Sequence, residues 1–361
     1  MIDLSLCMIV KNEESVIGRC LDSIKDVVDE IIIVDTGSTD KTKEIVRKYT
    51  DKLYDFKWIE DFAAARNYSF SKATKEYVMW LDADDVITQK DKVGLLKLKK
   101  SLSSTIDMVF MKYNVAFDED GKPTYSYFRE RIFKRKNNYK WVGEIHEVIT
   151  PSGNMIHSDV AVTHKKQGGK DPKRNIRIFE KMLKNGKLFG PREQFYYSRE
   201  LYYNDRYDEA IVGFNKFLNS GAGWVEDCIS ACKDMSTCYY LIKDEKNALY
   251  SLFRSFEFDD PRAEICCDIG KHLYDRNKFN QAIFWYKIAL TKDINDRKQG
   301  FKLNDCYDFI PSIQLSVCYD RLGDIEKAIF YHEKAKKLKP NNDAVLYNEN
   351  YFNGLKNKKN N

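Results

Sequence analysis

The hydrophobic pattern divides the chain into a first half of alternating strands and helices and a second half of helices alone. In the first half, short apolar runs without a polar face predict strands buried on both sides, as in a parallel sheet. Between these runs, apolar residues recur at helical spacing. The predicted strands span 4–10, 30–34, 52–58, 78–81, 108–115, 128–133 and 160–163, and the predicted helices span 14–24, 41–49 and 62–73. This order predicts an α/β fold with a mixed, mostly parallel sheet and right-handed crossovers.

From residue 171 onwards the strand pattern is absent and helical spacing dominates. A short motif with a central alanine recurs before aromatic-rich helices, at Ala210, Ala248, Ala282 and Ala328. These alanines are spaced by 38, 34 and 46 residues, and a period of 34 residues is typical of helix-turn-helix repeats of the tetratricopeptide type. We therefore expect an all-α repeat domain in which the longer gaps hold insertions.

The change of pattern predicts the domain organisation. An α/β domain is expected over 1–168, a helical repeat domain over 169–355 and a polar tail over 356–361. The linker is predicted at 165–173, where Gly and Pro cluster. The repeat domain is expected to hold a peptide or partner in a groove. The alternative is a stabilising cap or a dimer surface without a role in substrate binding.

Composition and charge narrow the classes of protein. The chain has 361 residues, 43% of them hydrophobic, and its net charge of +5 does not argue for a nucleic-acid partner. The start has no basic signal region, and no run of 18 apolar residues could span a membrane, so we expect a cytoplasmic location. The nine cysteines include no C-x-x-C pair, which disfavours a zinc site.

Acidic residues follow three of the predicted strands. Glu13 follows the first, Asp35 the second, and Asp82 with Asp84 the strand at 78–81. The carboxyl ends of parallel strands meet at one edge of a sheet, where α/β proteins bind ligands. Asp82 and Asp84 are two positions apart, so they would share a strand face and could point at one cation. A hard divalent cation holding a diphosphate is the natural partner of such carboxylates. Each acid could instead cap a turn or a helix.

The motifs at these strand ends point to a family. There is no G-x-G-x-x-G and no P-loop sequence, which disfavours a dinucleotide-binding fold or a P-loop NTPase. The segments 5–14, 31–40, 61–67 and 81–85 resemble the family 2 glycosyltransferases of the GT-A fold. The resemblance covers about the first 165 residues. It implies a nucleotide-sugar donor, a Mn²⁺ or Mg²⁺ cofactor, and inversion at the anomeric carbon.

The resemblance implies roles for individual residues. Glu13 and Asp35 match the positions that hold the nucleoside. Asp82 and Asp84 match the D-x-D motif, with Asp84 as a direct metal ligand. Arg66 matches a basic position near the donor, where its guanidinium could pair with a phosphate or a carboxylate. The alternative for Arg66 is an ion pair with an aspartate at the sheet edge, and both arrangements could occur in different ligand states.

The segment 141–147 and His164 resemble the branch of the family in which tetratricopeptide-like helices follow the catalytic domain. That branch includes peptide glycosyltransferases that modify bacteriocin precursors. The resemblance implies that His164 is a second metal ligand, that His146 belongs to the donor site and that Glu147 is the catalytic base. Glu144 is the alternative base. The family often reads H-x-G-Y where this chain has His164-Lys165-Lys166-Gln167, so the acceptor contacts of this loop stay open.

The function expected from the sequence is therefore transfer of a sugar from a nucleotide-sugar, with a UDP-sugar favoured, to a polypeptide acceptor. Two alternatives stay open. One is transfer to a cell-surface glycan or a lipid-linked precursor, and the other is a scaffold that binds nucleotide-sugar without turnover. A homodimer formed through the helical repeats is a further expectation.

Overall fold

The computed structural model describes residues 1–165, 171–294 and 300–359, with side chains as far as residue 355. Its contacts divide the chain into two units, 1–116 with 126–181 and 117–125 with 182–361. The predicted boundary at residue 168 and most of the predicted linker lie outside the described residues. The last helix extends into the predicted polar tail and ends at Lys359.

The strands and helices of the described chain are numbered in sequence order. The strands are β1 (Leu4–Val10), β2 (Glu30–Asp35), β3 (Leu53–Asp55), β4 (Tyr77–Trp80), β5 (Asp85–Val86), β6 (Met108–Phe117), β7 (Pro123–Lys134), β8 (Trp141–Val142), β9 (Val148–Ile149), β10 (Met155–His164) and β11 (Phe301–Leu303). The helices are α1 (Ile17–Ile24), α2 (Thr42–Val46), α3 (Phe62–Ser71), α4 (Gln89–Ser101), α5 (Arg174–Lys184), α6 (Pro191–Tyr203), α7 (Tyr207–Asn219), α8 (Val225–Leu241), α9 (Glu245–Arg254), α10 (Ala263–Asp275), α11 (Phe279–Ala289), α12 (Phe309–Arg321), α13 (Ile325–Leu338) and α14 (Asp343–Lys359).

The main sheet of the first unit confirms the predicted mixed, mostly parallel topology. Its strand order is β3-β2-β1-β4-β7-β6-β10-β5. The pairs β1/β2, β1/β4, β2/β3 and β6/β10 are parallel, whereas β4/β7 and β5/β10 are antiparallel. The central strand β1 is buried on both faces: Leu6 and Met8 pack in the larger core with α1, and Cys7 packs on the other side with Val78. The apolar runs therefore form the strands that the sequence predicts.

Four predicted elements are shorter in the structure, and they correspond to α1, α2, α3 and β3. The helix predicted over 14–24 begins at Ile17, because the chain first turns through Asn12, whose φ is +53°. The carbonyl of Glu13 then accepts the backbone N–H groups of Val16 and Ile17 and begins the helix. The strand predicted over 52–58 is limited to β3, since only three of its residues pair with β2.

Within its described residues, the second unit contains four antiparallel helix pairs, α6–α7, α8–α9, α10–α11 and α12–α13. The alanines of the repeated motif lie in the second helix of each pair, and all four are fully buried. Small side chains at these positions let the two helices approach closely. The residue five positions before each alanine has a positive φ: Asp205, Lys243, Asn277 and Gly323. The backbone N–H of the residue that follows donates to a carbonyl five residues earlier, as Arg206 does to Leu201. This hydrogen bond ends the first helix of each pair.

Two general properties follow from the described residues. All nine cysteines are free and buried. None of the described helices combines the length and the apolar character needed to cross a membrane.

Candidate active site

Two consecutive aspartates meet a histidine at the carboxyl end of β4. The chain turns after β4 and enters β5, which pairs antiparallel with β10 so that Asp85 lies opposite His164. The Nδ1 atom of His164 lies 3.5 Å from Asp84 Oδ1 and 3.7 Å from Asp85 Oδ1. One ligand atom from each of Asp84, Asp85 and His164 falls within a span of 4.8 Å. The structure thus brings together both predicted metal ligands.

Asp82 is not in this group, although it was expected to share a strand face with Asp84. The alternation of a strand does not apply to these residues, because 81–84 leave the strand and form a turn. The carboxylate of Asp82 instead pairs with Arg66, with 2.8 Å between Asp82 Oδ1 and Arg66 Nη2. The two acids of the D-x-D motif therefore have different neighbours: Asp82 pairs with Arg66, and Asp84 lies beside His164.

Asp85 is the best-anchored carboxylate of the site, and the sequence analysis gave it no role. It is fully buried and accepts hydrogen bonds from the Tyr113 hydroxyl at 2.9 Å and from Arg131 Nη1 at 3.1 Å. Asp85 Oδ2 also accepts the backbone N–H of Asp82 at 3.0 Å. Arg131 is also fully buried. A buried charge needs such partners, so Asp85 fixes the turn that carries Asp82 and Asp84.

The acidic surroundings favour the protonated form of His164. The interaction with Asp85 raises the pKa of His164 above its ordinary value. Burial of the ring opposes this rise, but the charges of Asp84 and Asp85 outweigh it. A cation other than a proton would gain from the same field, because two carboxylates and a partly buried imidazole converge there.

Arg66 links the turn at 81–84, which carries Asp82 and Asp84 and is called the acidic turn below, to the segment at 141–147. It lies on α3, which begins with Asp61 as an N-cap accepting the N–H of Ala64 at 2.8 Å. Its Nε donates to Glu147 Oε1 at 2.6 Å, while Nη2 donates to Asp82. Burial would lower the pKa of Arg66, but the two carboxylates raise it, so the guanidinium stays charged. Of the two arrangements expected for Arg66, the structure contains the ion pair.

Two tryptophans hold this guanidinium from its sides. The Arg66 Cζ atom lies 4.8 Å from the ring centroid of Trp80 and 4.9 Å from that of Trp141. Asn67, the next residue of α3, exchanges two 2.9 Å hydrogen bonds with the backbone of Trp141. These contacts position the segment that carries Glu147 relative to α3.

The two glutamates considered for the base have different surroundings. The side chain of Glu147 is 12% exposed and pairs with Arg66. The backbone carbonyl of Glu144 accepts the N–H of Phe62 at 2.8 Å, at the start of α3. The structure therefore connects Glu147 through Arg66 to the acidic turn. His146, beside it, has a φ of +50° and stacks on Phe179 with 6.1 Å between the ring centroids.

The residues predicted to hold a nucleoside lie at the ends of β1 and β2. Asp35 is fully buried, and its Oδ1 accepts the N–H groups of Gly37 and Ser38, each at 2.9 Å. Its Oδ2 is buried and has no hydrogen-bond partner among the described residues. Glu13 is half-buried, and its N–H donates to Thr42 Oγ1 at 2.7 Å. An unsatisfied buried carboxylate oxygen is costly, so a ligand donor at Asp35 would stabilise the site.

The family model of glycosyl transferase family 2 matches residues 5–161. A TPR repeat-containing protein of Synechococcus elongatus is 34% identical over 154 residues, covering 42% of this chain and 36% of that protein. The SPbeta prophage-derived glycosyltransferase SunS of Bacillus subtilis is 31% identical over 226 residues, covering 59% of this chain and 52% of SunS. The chain thus spans about half or less of the length of these relatives.

Two further likenesses complete the comparison. The lipopolysaccharide core biosynthesis glycosyltransferase LpsC of Rhizobium meliloti is 26% identical over 168 residues, covering 42% of this chain and 58% of LpsC. Among solved structures, YrrB, described as a TPR protein with an unusual peptide-binding site, superposes with a TM-score of 0.37 at 17% identity, covering 50% of this chain and 84% of YrrB. Because the family model matches residues 5–161, we assign these residues to a family 2 glycosyltransferase domain.

Proposed function

We propose that the chain is a metal-dependent glycosyltransferase that moves a sugar, with inversion, from a nucleotide-sugar to a polypeptide. A UDP-sugar is the favoured donor. The main support is that two groups of side chains meet at one sheet edge. Asp84 lies beside His164. Arg66 joins Asp82 to Glu147. These groups match in kind what the reaction needs: oxygen and nitrogen ligands for a cation, a cation for phosphate, and a carboxylate base.

Asp84 and His164 would hold Mn²⁺ or Mg²⁺, and the ion would neutralise charge on the departing diphosphate. Asp35 would accept a hydrogen bond from the nucleoside through its unpartnered Oδ2, with Glu13 beside it. Arg66 would donate to the donor's phosphates, and Asp82 and His146 would complete the donor site. Trp80 and Trp141 flank the Arg66 guanidinium and would keep it near the donor's phosphates as it turns away from Glu147.

Glu147 would act as the base. A bond forms between the acceptor atom and the anomeric carbon while the bond from that carbon to the diphosphate oxygen breaks. The proton of the acceptor group passes to the Glu147 carboxylate, and the leaving electron pair stays on the diphosphate. Base catalysis of this kind contributes about 10²–10⁴-fold. If Arg66 moves towards the donor's phosphates, Glu147 is released for this step.

The second unit supports a polypeptide acceptor. Side chains of successive repeats line one cleft there, including Arg199 from α6, Lys233 and Asp234 from α8, and Arg262 near the start of α10. Both signs of charge and aromatic walls suit a peptide with polar and charged side chains. The likeness to LpsC favours a second candidate, transfer to a glycan. A homodimer through the repeats stays part of the proposal.

The donor is tested with a panel of UDP-, GDP- and dTDP-sugars in the presence of Mn²⁺ or Mg²⁺. Thermal unfolding and slow donor hydrolysis are followed together. We expect one donor to raise the unfolding temperature and to be hydrolysed, with both effects removed by EDTA. Stabilisation by a donor without any turnover would favour the non-catalytic scaffold, and failure of every donor to stabilise the protein would contradict the transferase.

The acceptor is tested with that donor, carrying a radiolabelled sugar. Peptide libraries and lipopolysaccharide or lipid-linked fractions are offered separately. Radioactivity in the peptide fraction supports the proposal. Mass spectrometry of the labelled peptide then identifies the acceptor atom. Label only in the glycan fraction favours the second candidate.

A further inference from the structure

Arg129 lies beside the acidic turn, although it is distant from it in the sequence. Strands β4 and β7 pair antiparallel, with Met79 opposite Ile132. Arg129 lies three positions before Ile132 and therefore towards the end of the sheet at which β4 ends. Because side chains alternate along a strand, Arg129 shares a sheet face with Arg131, whose guanidinium binds Asp85. Arg129 is therefore at the same sheet edge as the predicted donor site.

A single aromatic ring gathers three guanidinium groups at this edge. The Cζ atoms of Arg131, Arg66 and Arg129 lie 3.8, 4.8 and 5.2 Å from the ring centroid of Trp80. Trp80 is itself fixed, since its Nε1 donates to the carbonyl of Glu130 at 2.7 Å. Stacking on a fixed tryptophan restricts a guanidinium to one region while leaving its N–H groups available.

The three arginines differ in exposure and in their partners. The side chain of Arg131 is 0% exposed and binds Asp85, and that of Arg66 is 9% exposed and binds Asp82 and Glu147. The side chain of Arg129 is 26% exposed, and its Nη2 lies 3.3 Å from the carboxylate of its sequence neighbour Glu130. Arg129 is thus the member of the set that solvent, and a ligand, can reach.

The charge at this edge requires more cations when an anion binds. Asp82, Asp84, Asp85 and Glu147 contribute four carboxylates, and the guanidinium groups of Arg66 and Arg131 are paired with them. With the divalent cation proposed at Asp84 and His164, these charges roughly balance, so the charge of an entering diphosphate would be uncompensated unless further positive charge faced it. A guanidinium suits this role, because its fork of N–H groups matches phosphate oxygens.

We infer that Arg129 binds the diphosphate of the nucleotide-sugar and of the nucleoside diphosphate product. Arg129 is thus a donor-binding residue, and no motif in the sequence points to it. The inference rests on the proposed function, since it requires a nucleotide-sugar at this edge. It predicts a contact with phosphate and none with the nucleoside.

The experiment compares the wild type with Arg129→Met and Arg129→Lys. Binding of UDP and of uridine is measured by calorimetry in Mn²⁺, with GDP or dTDP and the matching nucleoside used if the donor panel selects them. We expect Arg129→Met to weaken UDP binding by about 10- to 100-fold, the range for hydrogen bonds to charged groups. Uridine binding should not change. Arg129→Lys should lose less, because it keeps the charge but not the fork.

A matched control removes a cation elsewhere in the first unit. Lys112 pairs with Asp159 at 3.0 Å, and Lys112→Met should leave UDP affinity unchanged. Thermal unfolding shows whether each variant is folded. If Arg129→Met does not fold, the UDP affinity of Arg129→Lys tests the inference. Equal losses for UDP and uridine, or no loss for either variant, would overturn the inference. Wild-type protein that binds no nucleoside diphosphate would overturn the proposed function, and the inference with it.

Discussion

The sheet edge of the first unit and the helix pairs of the second unit are built on opposite principles. In the helix pairs, one solution is repeated four times: a buried alanine, and a residue with positive φ five positions before it. At the sheet edge every contact occurs once and joins distant parts of the chain, as with Arg66 and Glu147, which are 81 residues apart. We therefore expect single changes in the repeated turns to have smaller effects than changes at the sheet edge.

The largest expected effect is that of Asp84→Ala. The substitution removes a predicted metal ligand, so Mn²⁺-dependent binding of the nucleoside diphosphate and sugar transfer should fall below detection. Stability should change little, because the lost carboxylate lies near that of Asp85. Calorimetry with UDP and Mn²⁺, together with urea unfolding, measures both. Mn²⁺-dependent binding of wild-type strength would show that Asp84 is not a ligand.

Glu147→Gln is expected to reduce turnover by about 10²–10⁴-fold while leaving the affinity for the donor nearly unchanged, because only the base is lost. Steady-state transfer rates and donor binding measure the two separately. Glu144→Gln is the matched control and should retain turnover. If Glu144→Gln is the slow variant instead, the base is Glu144.

Asp85→Asn tests whether Asp85 stabilises the turn rather than binding the cation. It leaves the guanidinium of Arg131 buried without its carboxylate partner, so we expect a loss of about 3–5 kcal/mol in the free energy of unfolding. Urea unfolding of Asp84→Asn provides the comparison and should show a much smaller loss. Equal stability of the two variants would mean that Asp85 does not hold the turn.

The smallest effects are expected in the repeat turns. Gly323 has a φ of +81°, and Lys243 occupies the equivalent turn with a φ of +68°. Gly323→Ala should lower the free energy of unfolding by about 1 kcal/mol, and Lys243→Gly should raise it by a similar amount, since a side chain is strained in this conformation. Shifts of the same sign in the two variants would show that the turns are not equivalent.

These two regions also differ in how much of them the sequence could predict. The repeats were predictable because the same alanine recurs and each instance supports the others. The acids at the ends of β1, β2 and β4 were predictable because an apolar run ends abruptly in a charge. His164 was predicted as a ligand by resemblance, and the pairing of β5 with β10 does bring it to Asp84.

Arg131 and Arg129 were not predictable in the same way. Both are charged residues inside a strand, where alternation usually indicates a solvated face, yet Arg131 is fully buried. Their importance follows from the antiparallel register between β4 and β7, which no local pattern encodes. The division of roles between Asp82 and Asp84 likewise depends on a turn that the sequence suggested was a strand.

The free, buried cysteines give the molecule a built-in reporter of its own opening. A thiol reagent can reach them only when the surrounding packing is lost, so the rate of labelling reads local unfolding. Cys7 and Cys20 belong to the first unit and the other seven to the second. Peptide masses after timed labelling would therefore record, in one sample, how often each unit opens and whether a nucleotide protects only the first.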